Sequence, residues 1–137
     1  MDMKEFNKTI IDEFHANGGV VGGQFAGIPL LLLTTTGAKT GHTRVNPLAY
    51  MNHGDRHIII ASYAGAPTNP PWYYNLLSNP EVSVEMGSER FTARADVLDE
   101  PERTELYAKM VEIIPVFSEY QSKTTRVIPV VALTRSE

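Results

Sequence analysis

The chain has no cysteine, so neither a disulfide nor a thiolate contributes to its stability or chemistry, and a cytoplasmic setting is the expectation. It lacks a continuous apolar run of about 18 residues, the length a membrane-spanning helix needs. Met1 to Gly18 carries charges throughout, so no secretory leader is expected. There is no basic stripe either; the formal net charge is −4, which argues against nucleic acid as a partner. The histidines, His15, His42, His53 and His57, have no carboxylate-rich metal spacing, and no HExxH pattern exists, so no metal is expected. No nucleophile elbow supports a serine triad.

Charge is also scarce in one particular stretch. From Phe14 to Gly54 the only formal charges are Lys39 and Arg44. Residues 14–80 carry a net charge of +2, which leaves −6 for the remainder. An isolated basic pair in an acidic chain suits a compact anionic ligand meeting one local positive site.

What is present reads as one globular domain, residues 1–137, with 42% hydrophobic and 20% charged residues and no internal repeat. Met3, Phe6, Ile10, Ile11 and Phe14 recur at helical spacing, so residues 3–16 are expected to form an amphipathic helix within an N-terminal arm, residues 1–18. The mixed charge of its polar face disfavours contact with a membrane surface. The glycine-dense "NGGVVGGQFAG" that follows must bend or lie close to another segment. "IPLLLLTTT", "RVNPLAYMN" and "RHIIIASY" read as strands, with "HGD" as a hairpin and Pro47 forcing an edge or a bulge.

"NPPWYYNLLSNP" reads as a short aromatic helix capped by Asn69 and ended by Asn79-Pro80. "EVSVEMGSERFTARADVL" reads as a hairpin turning at Gly87-Ser88. Asp99 and Glu102 have capping-box spacing around Pro101, with helix to about Ile113. After Pro115, "PVFSEYQSKT" is a turn or short helix, and "RVIPVVALT" is the last strand. About six mainly antiparallel strands with short flanking helices give an α+β domain, most simply a curled, partly closed barrel.

The basic turn is no P-loop: Gly37-Ala-Lys-Thr-Gly41 has the wrong spacing and leads into a strand. Its threonines add hydroxyl donors, and a glycine-bearing turn can aim backbone N–H groups at an anion. Arg44 offers a planar fork and Lys39 a mobile point charge. Together these describe a phosphate cradle, which His42 can assist when protonated; the plain alternative is a solvated hairpin.

"LLTTTGAKTGHTRVNPL", "ASYAGAPTNPPWYYNLLSNPEVSVEM" and "YQSKTTRVIPVVAL" resemble the deazaflavin-dependent nitroreductase family, over about residues 24–134. Its members use coenzyme F-420 and occur chiefly in actinobacteria. The resemblance implies a split β-barrel related to flavin-binding oxidoreductases. It also implies that Lys39, Thr40 and Arg44 hold the coenzyme's phosphate and nearby tail, with Asn46 and Pro47 along the strand beneath the ring. Ala61, Ser62, Tyr63, Ala64 and Gly65 would contact the ring largely through backbone, with Ser62 close to the reacting face. Asn69, Pro70 and Trp72 fall on the family's "NPxW" element. At least one of Trp72, Tyr73 and Tyr74 is expected in the core.

The implied activity is hydride transfer from reduced F-420 to small planar acceptors: enones and unsaturated lactones, quinones or nitroaromatics. Tyr120, the one family-like tyrosine on the substrate side, is the candidate proton donor, with water as the alternative. Ile114 and Phe117 stand where the family carries other tyrosines, and Ala49 replaces a larger aromatic. These departures point away from nitroimidazole prodrugs but leave hydride transfer intact. Two other readings stay open: an FMN enzyme with a nicotinamide donor, and a non-catalytic binder of deazaflavin, haem or a tetrapyrrole. Either a monomer or a homodimer is compatible.

Overall fold

Leucine at every position from Leu30 to Leu33 leaves no polar face, so this segment can be a strand only if both its faces are covered. The computed structural model, which describes residues 3–136 apart from the side chains of residues 3, 4 and 24, shows how. Leu30–Thr36 is β1. Leu31 and Leu33 point to a cluster with Ile59, Val84, Val131 and Leu133, onto which Trp72 and Leu76 pack. Leu30 and Leu32 point the other way, to Ile10, Phe14 and Val21. Each such buried side chain contributes about 1.5–3 kcal/mol relative to exposure.

The other strands are β2 (Thr43–Ala49), β3 (Met51–His53), β4 (Arg56–Ile60), β5 (Glu81–Met86), β6 (Glu89–Val97) and β7 (Val130–Arg135). The helices are α1 (Met3–Ala16), α2 (Pro71–Ser78), α3 (Glu102–Ile113) and α4 (Val116–Ser122). Met3, counted above among the apolar side chains of α1, has its side chain outside the described residues. All strand pairs are antiparallel, in the order β2-β1-β5-β6-β7-β4-β3. The two edge strands, β2 and β3, are thus consecutive in sequence, separated only by Tyr50. A sheet whose opposite edges share one stretch of chain must curl, and this one forms a half-barrel. Leu106, Met110, Ile114 and Phe117 of the α3–α4 region cover the face carrying Ile58, Ile60 and Val130.

The hairpins at Gly54-Asp55 and Gly87-Ser88 form as expected, and Pro47 lies on an edge strand. The glycine-dense connector does lie close to something: a Cβ on Gly19, whose φ is +96°, would sit 2.6 Å from the Gly87 Cα.

Three local expectations need correction. "RVNPLAYMN" is two strands: the Tyr50 N–H still donates to Pro29, its opposite number on the β1 side, at 3.2 Å, and from Met51 the chain pairs with β4 instead. The capping box at Asp99 and Glu102 does not form. Glu100 instead accepts the Thr104 N–H at 2.9 Å, while Glu102 accepts from Arg56 on β4 at 2.7 Å. That bond holds the Glu102 carboxyl below its usual range. Asn69 does not cap α2, whose N-cap is Pro70 without a side-chain bond.

Candidate active site

The basic turn, residues 37–42, joins β1 to β2. Inside it, the Gly37 N–H donates to the His42 carbonyl at 2.7 Å and the Gly41 N–H to the Gly37 carbonyl at 3.0 Å. The His42 N–H is held by Thr40 Oγ1 at 3.2 Å. The Ala38 N–H donates to Asn75 Oδ1 at 3.0 Å, and Asn75 Nδ2 donates to Thr35 Oγ1 at 3.1 Å. Most of the turn's backbone donors are therefore consumed by the fold. The expected backbone cradle shrinks, and the side chains of Lys39, Thr40 and Arg44 carry the anion-binding capacity.

Those side chains edge a cleft of about 1170 Å3, large enough for a cofactor-sized ligand. Its walls come from three elements: the basic turn with β2, the start of α2, and α1 through Asn7, Lys8 and Ile11. Lys39 and Arg44 are exposed, and among the described residues neither has a carboxylate at ion-pair distance. Trp72, Val45 and Ile11 supply apolar surface on the same cleft. Unpaired cations beside a flat apolar wall suit a ligand that joins a phosphate to a planar ring.

Of the candidate residues, Lys39, Thr40, Arg44, Asn46, Asn69 and Trp72 line this cleft. Pro47 and Pro70 lie next to it in sequence but not on its wall. Ala61 to Gly65 form a separate, neighbouring structure. Ser62 is buried, and the turn that follows has left-handed backbone at Tyr63 (φ 49°), Ala64 (55°) and Gly65 (81°). For tyrosine and alanine this is strained, a cost of about 1–3 kcal/mol each that surrounding contacts must offset. A Cβ on Gly65 would meet the Tyr120 carbonyl at 2.8 Å, so the turn seats directly on α4.

Tyr120 is half-buried, its ring edge-on to Phe117 at 5.6 Å and facing the Lys123 ammonium at 6.0 Å. Ile114 and Phe117, expected to face substrate, are buried in the core beneath α3 and α4, and Ala49 packs against the same cluster. Burial raises the Tyr73 phenol above its ordinary range, as it does for Tyr107. His57 is pushed down, chiefly by burial and then by Arg135.

Two residues matter here that sequence patterns did not single out. Asn75 links the turn to α2 across 37 residues, and Arg126 reaches back across 57 to 65 residues to the segment around Ser62. Contacts that distant leave no local signal. Replacing Asn75 with leucine leaves the Ala38 N–H and the buried Thr35 hydroxyl unpaired, at about 1–3 kcal/mol. Chemical denaturation of Asn75→Leu checks this; loss of less than about 0.5 kcal/mol would show the network to be dispensable.

The curled antiparallel half-barrel is the split-barrel fold of solved F-420-dependent reductases. Residues 7–135 match the F-420H(2)-dependent quinone reductase family, and the chain belongs to it. An F-420H(2)-dependent quinone reductase of Mycobacterium tuberculosis (strain H37Rv) is 40% identical, over 89% of this chain and 85% of the relative. A solved F-420-H2-dependent reductase (FDR-A) is 40% identical with a TM-score of 0.70, covering 77% of this chain and 93% of that one. A second solved chain, described as a domain-swapped dimer, is 33% identical with a TM-score of 0.73, covering 96% and 99%. The deazaflavin-dependent oxidoreductase class, the split-barrel fold and coenzyme F-420 as cofactor stand accordingly.

Proposed function

We propose that this chain delivers a hydride from reduced F-420 to a small planar acceptor, quinones first and enones or nitroaromatics by the same chemistry. The observation that carries this reading is the pair of cations, Lys39 and Arg44, without a carboxylate partner among the described residues, on a cleft walled by Trp72. When bound, the coenzyme supplies the hydride. The protein's task is to hold its anionic tail at Lys39, Thr40 and Arg44 and its ring toward Trp72 and the Ser62 segment, so that donor and acceptor meet at about 3–3.5 Å. Converting a quinone to a hydroquinone needs a proton as well as a hydride. Tyr120, whose backbone carbonyl abuts the Ser62 turn at Gly65, or a water beside its phenol, supplies that proton; Ser62 is the other hydroxyl near the reacting face.

The test is anaerobic: reduced F-420 is mixed with the protein and menadione, an enone or a nitroaromatic, and return of the oxidised deazaflavin absorbance is followed. Parallel titrations use oxidised F-420 and FMN. Turnover with menadione supports the reading. Binding of F-420 without turnover on any acceptor makes the chain a carrier, and binding of FMN alone moves it to flavin chemistry. We read the assembly as a homodimer, on the likeness to a domain-swapped neighbour; light scattering after gel filtration decides between dimer and monomer.

A further inference from the structure

We infer that Arg126 is a positioning residue for the coenzyme: its guanidinium holds the strained Ser62–Gly65 turn in the shape that receives the ring. The inference rests on the functional reading above. One guanidinium donates to four acceptors on that segment. Nη2 reaches the Ser62 carbonyl at 2.6 Å, Nε the Ala66 carbonyl at 2.9 Å, and Nη1 both Asn69 Oδ1 at 2.7 Å and the Ala61 carbonyl at 3.2 Å. The acceptors flank the turn on both sides, and the only non-glycine residues with positive φ among those described, Tyr63 and Ala64, lie between them.

The arrangement is unusual in charge as well as in geometry. Arg126 is half-buried, and no carboxylate among the described residues pairs with it. Its charge is spread over neutral carbonyls and one amide oxygen. Only a planar fork with five N–H groups can span them; a lysine ammonium is a point donor and cannot. The arginine is itself held. Its N–H donates to Thr124 Oγ1 at 3.3 Å, and its carbonyl accepts from Gln121 Nε2 at 2.9 Å. Gln121 follows Tyr120 on α4. The clamp therefore ties the Ser62 turn and the end of α4 to one rigid group. Asn69 also lines the cleft, so the clamp reaches the cleft wall without touching it through the guanidinium itself.

The test compares wild type with Arg126→Lys and Arg126→Ala by three readouts. Amide hydrogen exchange reports the turn directly, because the Gly65 and Ala66 N–H groups donate to the Ser62 and Tyr63 carbonyls at 2.9 and 3.0 Å. Fluorescence titration gives the F-420 affinity, and steady-state kinetics with menadione separates kcat from KM. Both variants should exchange Gly65 and Ala66 at least about tenfold faster while strand amides stay protected. F-420 should bind about tenfold more weakly, and kcat should fall by up to about 100-fold from misplacement of the ring. Added guanidinium should partly restore Arg126→Ala but not Arg126→Lys.

Wild-type exchange and wild-type affinity in both variants would overturn the inference. So would a uniform rise in exchange across the sheet with kcat of the folded fraction unchanged, which is a purely structural role. A wild type that binds no F-420 brings down the functional reading and this inference together; a wild type that binds and an Arg126→Ala that binds equally well brings down the inference alone.

Discussion

Lys39→Ala/Arg44→Ala should lose most of its affinity for F-420 while keeping its fold. Both side chains are exposed and neither is held by a carboxylate among the described residues, so their removal breaks no ion pair and costs only the long, exposed bond from Arg44 Nη1 to the Thr43 carbonyl at 3.4 Å. A charge-assisted hydrogen bond to a phosphate contributes about 1.5–3 kcal/mol, reduced here by solvent screening. For the pair, about 2–3 kcal/mol corresponds to roughly 30- to 150-fold in Kd. The wild-type Kd should also rise between about 20 and 500 mM salt as the Debye length shrinks, and the double variant should show little of that dependence. Arg44→Lys should fall between, since it keeps the charge and loses the fork. Unchanged affinity and unchanged salt dependence in the double variant would return the turn to an ordinary solvated hairpin.

The second large effect concerns Trp72, which the structure places in two roles. It is 4% exposed in the core cluster with Leu31, Leu33 and Val84, and it also lines the cleft. Trp72→Ala should cost about 3–5 kcal/mol, a large share of the roughly 5–15 kcal/mol that holds a domain of this size together. Trp72→Phe should retain most of that stability. Its F-420 affinity should nonetheless drop several-fold, because an aromatic contact of about 0.5–1.5 kcal/mol is lost in part. Denaturation curves and titrations of the two variants separate the roles. A Trp72→Ala protein within about 1 kcal/mol of wild type would remove Trp72 from the core, and an unaltered Kd in Trp72→Phe would remove it from the site.

How far the residues disclosed this in advance depended on the range of the interaction. The apolar run at Leu30–Leu33 and the hairpins at Gly54 and Gly87 are local signals, and the strands form where they point. The isolation of Lys39 and Arg44 was visible as charge spacing, and the structure puts both on the cleft. The break at Tyr50 was not visible: nothing in "NPLAYMN" punctuates the strand, and the interruption arises from closing the sheet. At the start of α3 the right chemistry was expected from the wrong carboxylates, since Glu100 rather than the Asp99–Glu102 pair meets the helix. Asn69 has helix-cap chemistry, yet its oxygen is taken by Arg126. Short polar side chains have several local options, and a distant guanidinium decides which one is used.

The contribution of α1 to the cleft has a consequence for how this site can diversify. One wall, with Asn7, Lys8 and Ile11, is encoded before the glycine connector; the side with the basic turn is encoded after it, between Gly37 and Asn75. Substitutions in the first stretch reshape one wall and leave Lys39, Thr40 and Arg44 in place. Two separately mutable stretches of gene thus line one cleft, and drift in the helix can reshape its mouth while the basic turn stays as it is.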